Sequence, residues 1–118
     1  MLRYIAPISI LSTFLSGCAG DMCGNTIGQT ALSPSGQTKA VVFNRDCGAT
    51  TGFSTQVSVL SSDDELPNDS GNALVVEGTV PVELRWLSES SLAIGGIGNA
   101  KVFRQESAVA NTQVSYVR

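Results

Sequence analysis

From Phe53 the chain alternates. Phe53, Thr55, Val57 and Val59 fall on one side of an extended backbone, and Ser54, Gln56 and Ser58 on the other. The same period of two returns at Val80, Val82, Leu84 and Trp86, set against Pro81, Glu83 and Arg85. No window of about twelve residues offers a helical period in its place. Lys39 to Phe43 is a β-branched run that is apolar on both faces, which predicts a central strand. Ala73–Glu77, Leu92–Ile94, Lys101–Gln105 and Gln113–Val117 supply further short strands. Turns are marked at Ser33-Pro34-Ser35-Gly36, with Pro second and Gly fourth, and around Ser88-Glu89-Ser90. The polar loop Asn44–Gly52 and the acidic loop Ser61–Asn72 connect strands, and Gly95–Asn99 breaks the pattern as a bulge or sheet corner. A chain of 118 residues has room for one small domain. The expectation is all-β: a small antiparallel sheet of about six or seven strands closing into a sandwich or a partly open barrel.

The N-terminus reads as an address. One positive charge at Arg3 precedes Tyr4–Leu15, which is mostly apolar and carries no further charge. About twelve residues is too short to cross a bilayer as a helix but suits the apolar core of a secretory signal. The run ends in Leu15-Ser16-Gly17-Cys18, which resembles the lipobox of bacterial lipoproteins. Small residues at Ser16 and Gly17 let a protease approach an extended backbone, and the Cys18 thiol would form the thioether to diacylglycerol. The resemblance implies a signal peptide over residues 1–17, a lipidated N-terminus and tether over 18–30, and a β-domain over 31–118. The alternative is an ordinary signal cut after a small residue such as Ala19. Several acyl chains would make the anchor effectively permanent. Ala19 stands where the family's rule for inner-membrane retention would place Asp. In a Gram-negative host the destination implied is therefore the outer membrane, facing the periplasm.

Of three cysteines, lipidation of Cys18 would leave Cys23 and Cys47, an even pair in an oxidising compartment. A bridge between them closes a loop of about 25 residues, which the chain-entropy model values at roughly 3.5 kcal/mol. A free thiol pair or a metal site are the other readings. Two cysteines without histidine or a C-x-x-C spacing make a poor zinc site.

Charge and composition exclude more than they select. Seven Lys and Arg against ten Asp and Glu give a net charge of −3, so no broadly basic face exists for nucleic acid. The absence of histidine removes the commonest general base and the usual catalytic triads. Arg45, Asp46, Thr50, Thr51, Ser54 and Gln56 crowd one polar stretch and form a candidate partner-binding loop steadied by the Cys23–Cys47 bridge. The competing reading is structural: Asp46 caps a turn, Arg45 pairs with it, and the threonines satisfy backbone groups. Thr50, Thr51 or Ser54 would need an activating base to act as a nucleophile, and no catalytic residue is assigned. Asp63, Asp64, Glu65 and Asp69 offer hard oxygen ligands, but their spacing does not match a calcium loop, and no metal or cofactor is assigned. Trp86 and Phe53, on apolar faces, are assigned to the core.

Lys39 to Leu60 (KAVVFNRDCGATTGFSTQVSVL) resembles a family of small uncharacterised bacterial proteins, many of them predicted lipoproteins. Trp86-Leu87-Ser88 and Phe103-Arg104-Gln105-Glu106 are similar to that family as well. The resemblance spans roughly Ala31 to Arg118 and implies a shared fold without a known activity. The expectation is a non-enzymatic lipoprotein of the bacterial envelope, held to a membrane by lipid and binding an envelope protein. An inhibitor of a lytic enzyme such as lysozyme, and a small-ligand binder or unrecognised enzyme centred on Asp46, are the alternatives.

Overall fold

The computed structural model describes residues 23–48 and 52–117, and within them the chain forms nine strands and no helix. These are β1 (Gly24–Leu32), β2 (Thr38–Asp46), β3 (Ser54–Ser61), β4 (Leu74–Glu77), β5 (Glu83–Ser88), β6 (Ser91–Gly95), β7 (Val102–Gln105), β8 (Ala108–Val109) and β9 (Thr112–Val117). They build a five-stranded sheet, β1-β2-β3-β4-β7, and a four-stranded sheet, β5-β6-β9-β8. Neighbours run antiparallel except β6 and β9, which are parallel. The all-β expectation holds, and of the two closures considered the chain adopts the sandwich.

The core lies between the sheets. Ala40 and Val42 of β2, Val57 and Val59 of β3, and Leu74 and Val76 of β4 meet Val82, Leu92, Ile94 and Val114 from the other side. Each fully buried Val, Leu or Ile of this kind contributes about 1.5–3 kcal/mol relative to exposure. Polar contacts fix how the layers sit on each other. The Trp86 indole N–H donates to the Ala31 carbonyl at 2.9 Å. The Thr55 hydroxyl donates to Gly78 O at 2.7 Å and accepts from Val80 N at 2.9 Å, holding the passage from β4 to β5. The Tyr116 hydroxyl reaches Glu106 O at 2.7 Å, and burial, reinforced by the Glu106 charge, pushes its phenol up to about 12. At the return crossing Gly96 has φ +83°, and a Cβ there would collide with the Pro81 carbonyl. The glycine cluster is thus the sheet corner its pattern suggested.

Two hairpin tips are clasped together. Glu89, in the β5–β6 turn, accepts from Ser33 Oγ at 2.9 Å, Ser35 Oγ at 2.7 Å and Ser35 N at 2.8 Å in the β1–β2 turn. The Ser35 hydroxyl and then its amide hold this carboxyl below its ordinary range.

Four sequence expectations are corrected. Residues 24–30, assigned to a tether, form most of β1, a full edge strand paired with β2 from Gly24↔Asp46 to Leu32↔Lys39. Only Ile27, Ala31 and Leu32 are apolar among its polar and glycine residues, and the strand is mostly exposed, so no apolar alternation announces it. Nine strands replace six or seven, β1 and β8 being the additions. Phe53 is 55% exposed rather than in the core, because it precedes the first rung of β3. The outer face of β3 is not solvated: Gln56 is 3% and Ser58 5% exposed.

The cause of that last burial is the loop between β3 and β4. It folds back instead of projecting into water. Asn72 lies beside Val59, accepting from its N–H at 2.8 Å and donating to its carbonyl at 2.9 Å, so a side-chain amide continues the ladder where β4 has not begun. Gly71 N donates to Gln56 Oε1 at 2.6 Å. Further along, Asn25 Nδ2 donates to the carbonyls of Pro67 and Asp69, both at 3.1 Å. The loop is a strap across the outer face on which Val41 and Phe43, each 1% exposed, are also buried.

Candidate functional site

One end of the five-stranded sheet gathers the features singled out in the sequence. Cys23 and Cys47 are joined by a disulfide of 2.02 Å, immediately beyond the Gly24↔Asp46 pair. Next along the edge, Arg45 pairs with Ser54 and Ser54 with Glu77. Gly78 N donates to Phe53 O and Glu77 N to Lys101 O, both at 2.9 Å. The disulfide, Phe53, Gly78 and Lys101 therefore follow one another across the end of the sheet.

Within this end the proposed loop residues divide. Arg45 does not pair with Asp46. Its Nη1 donates to Asn25 Oδ1 at 2.7 Å and Asn68 Oδ1 at 3.0 Å, while Asn68 Nδ2 donates to the Cys23 carbonyl at 3.1 Å. The guanidinium thus ties β1, β2 and the strap to the disulfide, and hydrogen bonds to a charged group of this kind contribute about 1.5–3 kcal/mol each. Asp46 Oδ1 accepts from Gly48 N at 3.1 Å, the turn-capping role weighed for it. Ser54 is half-buried; its Oγ accepts from Gln56 Nε2 at 2.7 Å and donates to Arg45 O at 3.4 Å. Gln56 is buried with both ends of its amide engaged, so it belongs to the interior rather than to an exposed loop. Thr50, Thr51 and Cys18 lie outside the described residues.

Asn25, Asn68, Gly71 and Asn72 carry this network and were not singled out in the sequence. For Asn68, Gly71 and Asn72 the only sequence signal is a density of Asn and Gly in Pro67–Asn72, which a solvated loop shares, and Asn25 has none.

No protein-family model, no curated protein and no solved structure matches this chain. Its chemistry therefore rests on its own residues. The Ser54 hydroxyl has an amide and a backbone carbonyl as partners, neither of which can take a proton from it. Asp63, Asp64, Glu65 and Asp69 are exposed, and among the described residues no three Cys, Asp or Glu side chains converge on a point that could hold a metal ion. What the disulfide end presents to its surroundings is Asp46, Phe53, Glu77, Lys101, Val102 and Phe103, a mixed apolar and charged rim.

Proposed function

We propose that this chain is an exported bacterial lipoprotein, anchored through Cys18, whose sandwich is a non-catalytic module that binds another protein of the cell envelope. The observation that carries the reading is the Leu15-Ser16-Gly17-Cys18 sequence a few residues ahead of a disulfide-closed domain. A Cys23–Cys47 bridge fits export, because the reducing cytosol disfavours structural disulfides. Leu74, Leu92 and Ile94, all 0% exposed, fill the interior with side chains, which favours recognition on the surface over an enclosed ligand. By the family's retention rule Ala19 favours the outer membrane of a Gram-negative host.

The test is the intact mass of protein extracted from its native membrane fraction, with and without reduction before alkylation. A chain beginning at Cys18, carrying acyl mass and gaining two alkyl groups only after reduction, is the expected result. An unacylated chain overturns the anchor, and two thiols alkylated without reduction overturn the compartment. Cross-linking on the acylated protein then identifies the partner; recovery of no envelope protein removes the binding role.

A further inference from the structure

We infer that the disulfide end of the sandwich rests on the bilayer, with Phe53 and Phe103 inserted at the headgroup level. The inference rests on the anchored reading above and adds an orientation and a contact surface to it.

Reach comes first. The roughly five residues from Cys18 to Cys23 span at most about 17 Å when fully extended. Cys23 is no swinging arm, because the disulfide to Cys47 and the Asn68 bond to its carbonyl fix it to the edge of the five-stranded sheet. Acyl chains on Cys18 therefore hold this end of the domain, and not the clasped hairpin tips at the other, within one short tether of the lipid.

The surface presented there is suited to it. Phe53 is 55%, Val102 41% and Phe103 58% exposed. Phe53 immediately precedes β3, and Val102 and Phe103 open β7, at the same end as the disulfide. The Lys101 ammonium lies 5.4 Å from the centroid of the Phe103 ring, an aromatic body with a cationic tip that can stay in water while the ring is buried. Exposed aromatic rings are costly in water and favourable at a membrane interface. The local charge specifies the kind of lipid contact. Asp46 and Glu77 share this end with Lys101, so it is not a basic patch. Binding is therefore apolar insertion that needs no anionic lipid and is insensitive to salt.

The experiment uses the full acylated protein reconstituted in phosphatidylcholine vesicles, with and without bromines on the upper acyl carbons. The parent has a single tryptophan, Trp86, whose indole is held between the sheets at Ala31. Phe53→Trp and Phe103→Trp each add one at the proposed contact. The added indoles should be quenched by brominated lipid, unchanged by half-molar salt, while Trp86 in the parent is not. If the added indoles are no more quenched than Trp86 although mass spectrometry shows the acyl chains, the contact is refuted and the anchor stands. If the protein carries no acyl chains, both fall. Unquenched indoles whose emission shifts to the blue with protein concentration would instead put a second copy on this surface and overturn the proposal.

Discussion

Gly71 shows how much of this fold depends on a position with no side chain. It is a buried residue of the strap itself, donates to Gln56 and accepts from Arg104 Nη1 at 3.2 Å. A Cβ at this position would stand 2.7 Å from Val57 O, 3.0 Å from Leu74 O and 3.1 Å from Gln56 Cβ. Two of the three are backbone atoms of paired strands and have little room to yield. Gly71→Ala should therefore destabilise by about 2–4 kcal/mol, seen as a lower urea midpoint at unchanged slope. Gly52→Ala, which meets nothing within 4 Å, is the matched control. Residue roles of this kind were poorly legible in the sequence. Alternation placed Thr55, Val57 and Val59 on the inner face correctly, but it describes a strand as though nothing lies on its other side. Gln56 and Ser58 are buried by a segment that comes later in the chain, and a period of two carries no trace of it.

At the scale of elements, strands with a continuous or alternating apolar run were readable, whereas β1, with three scattered apolar residues, and the two-residue β8 were not. β2 and β3 announced themselves; β1 is held by its register with β2, by the disulfide and by the Trp86 bond to Ala31, none of which leaves a local pattern. β8 joins β9 through Ala110 and Asn111, both at positive φ (50° and 60°). Hairpin turns of that geometry usually advertise Asn-Gly, Asp-Gly or Gly-Gly, and here neither central residue is glycine. The two hairpins clasped by Glu89 give an acid response with a definite sign. The carboxylate is the bound form and its folded pKa is lowered from the ordinary 4.5, so its contribution is complete above that unfolded value and is lost as pH falls through the folded one. Trp86, which bonds to Ala31 beside this clasp, should report loosening below that pH as a red shift in emission. Glu89→Gln should show the loosened state already at neutral pH and little further change on acidification; an acid response equal to the parent's would assign the effect to another group.

For the whole molecule, the disulfide is the covalent tie between the start of β1 and the end of β2, the margin of the larger sheet. Reduction should lower stability by roughly 3.5 kcal/mol on the chain-entropy account, measured as unfolding in urea with and without reductant. A loss near zero would mean that Arg45, Asn25 and Asn68 hold that margin unaided. Fold class was legible at this scale because periodicity and length suffice for it. Surface roles were not legible in the same way, because an exposed face imposes no pattern on the residues beneath it.

The path of the chain between the layers bears on timing. It leaves the larger sheet after β4, returns for β7 and leaves again for β8 and β9. β9 is also an internal strand, lying between β6 and β8, so the smaller sheet lacks its middle until Thr112–Val117 arrives. A polypeptide emerging N-terminus first from a ribosome can pair β1 with β2 early but cannot complete the larger layer until β7, or the smaller until β9, is out. Cooperative folding of this topology is accordingly a late event, and the nascent chain stays threadable for nearly its whole length.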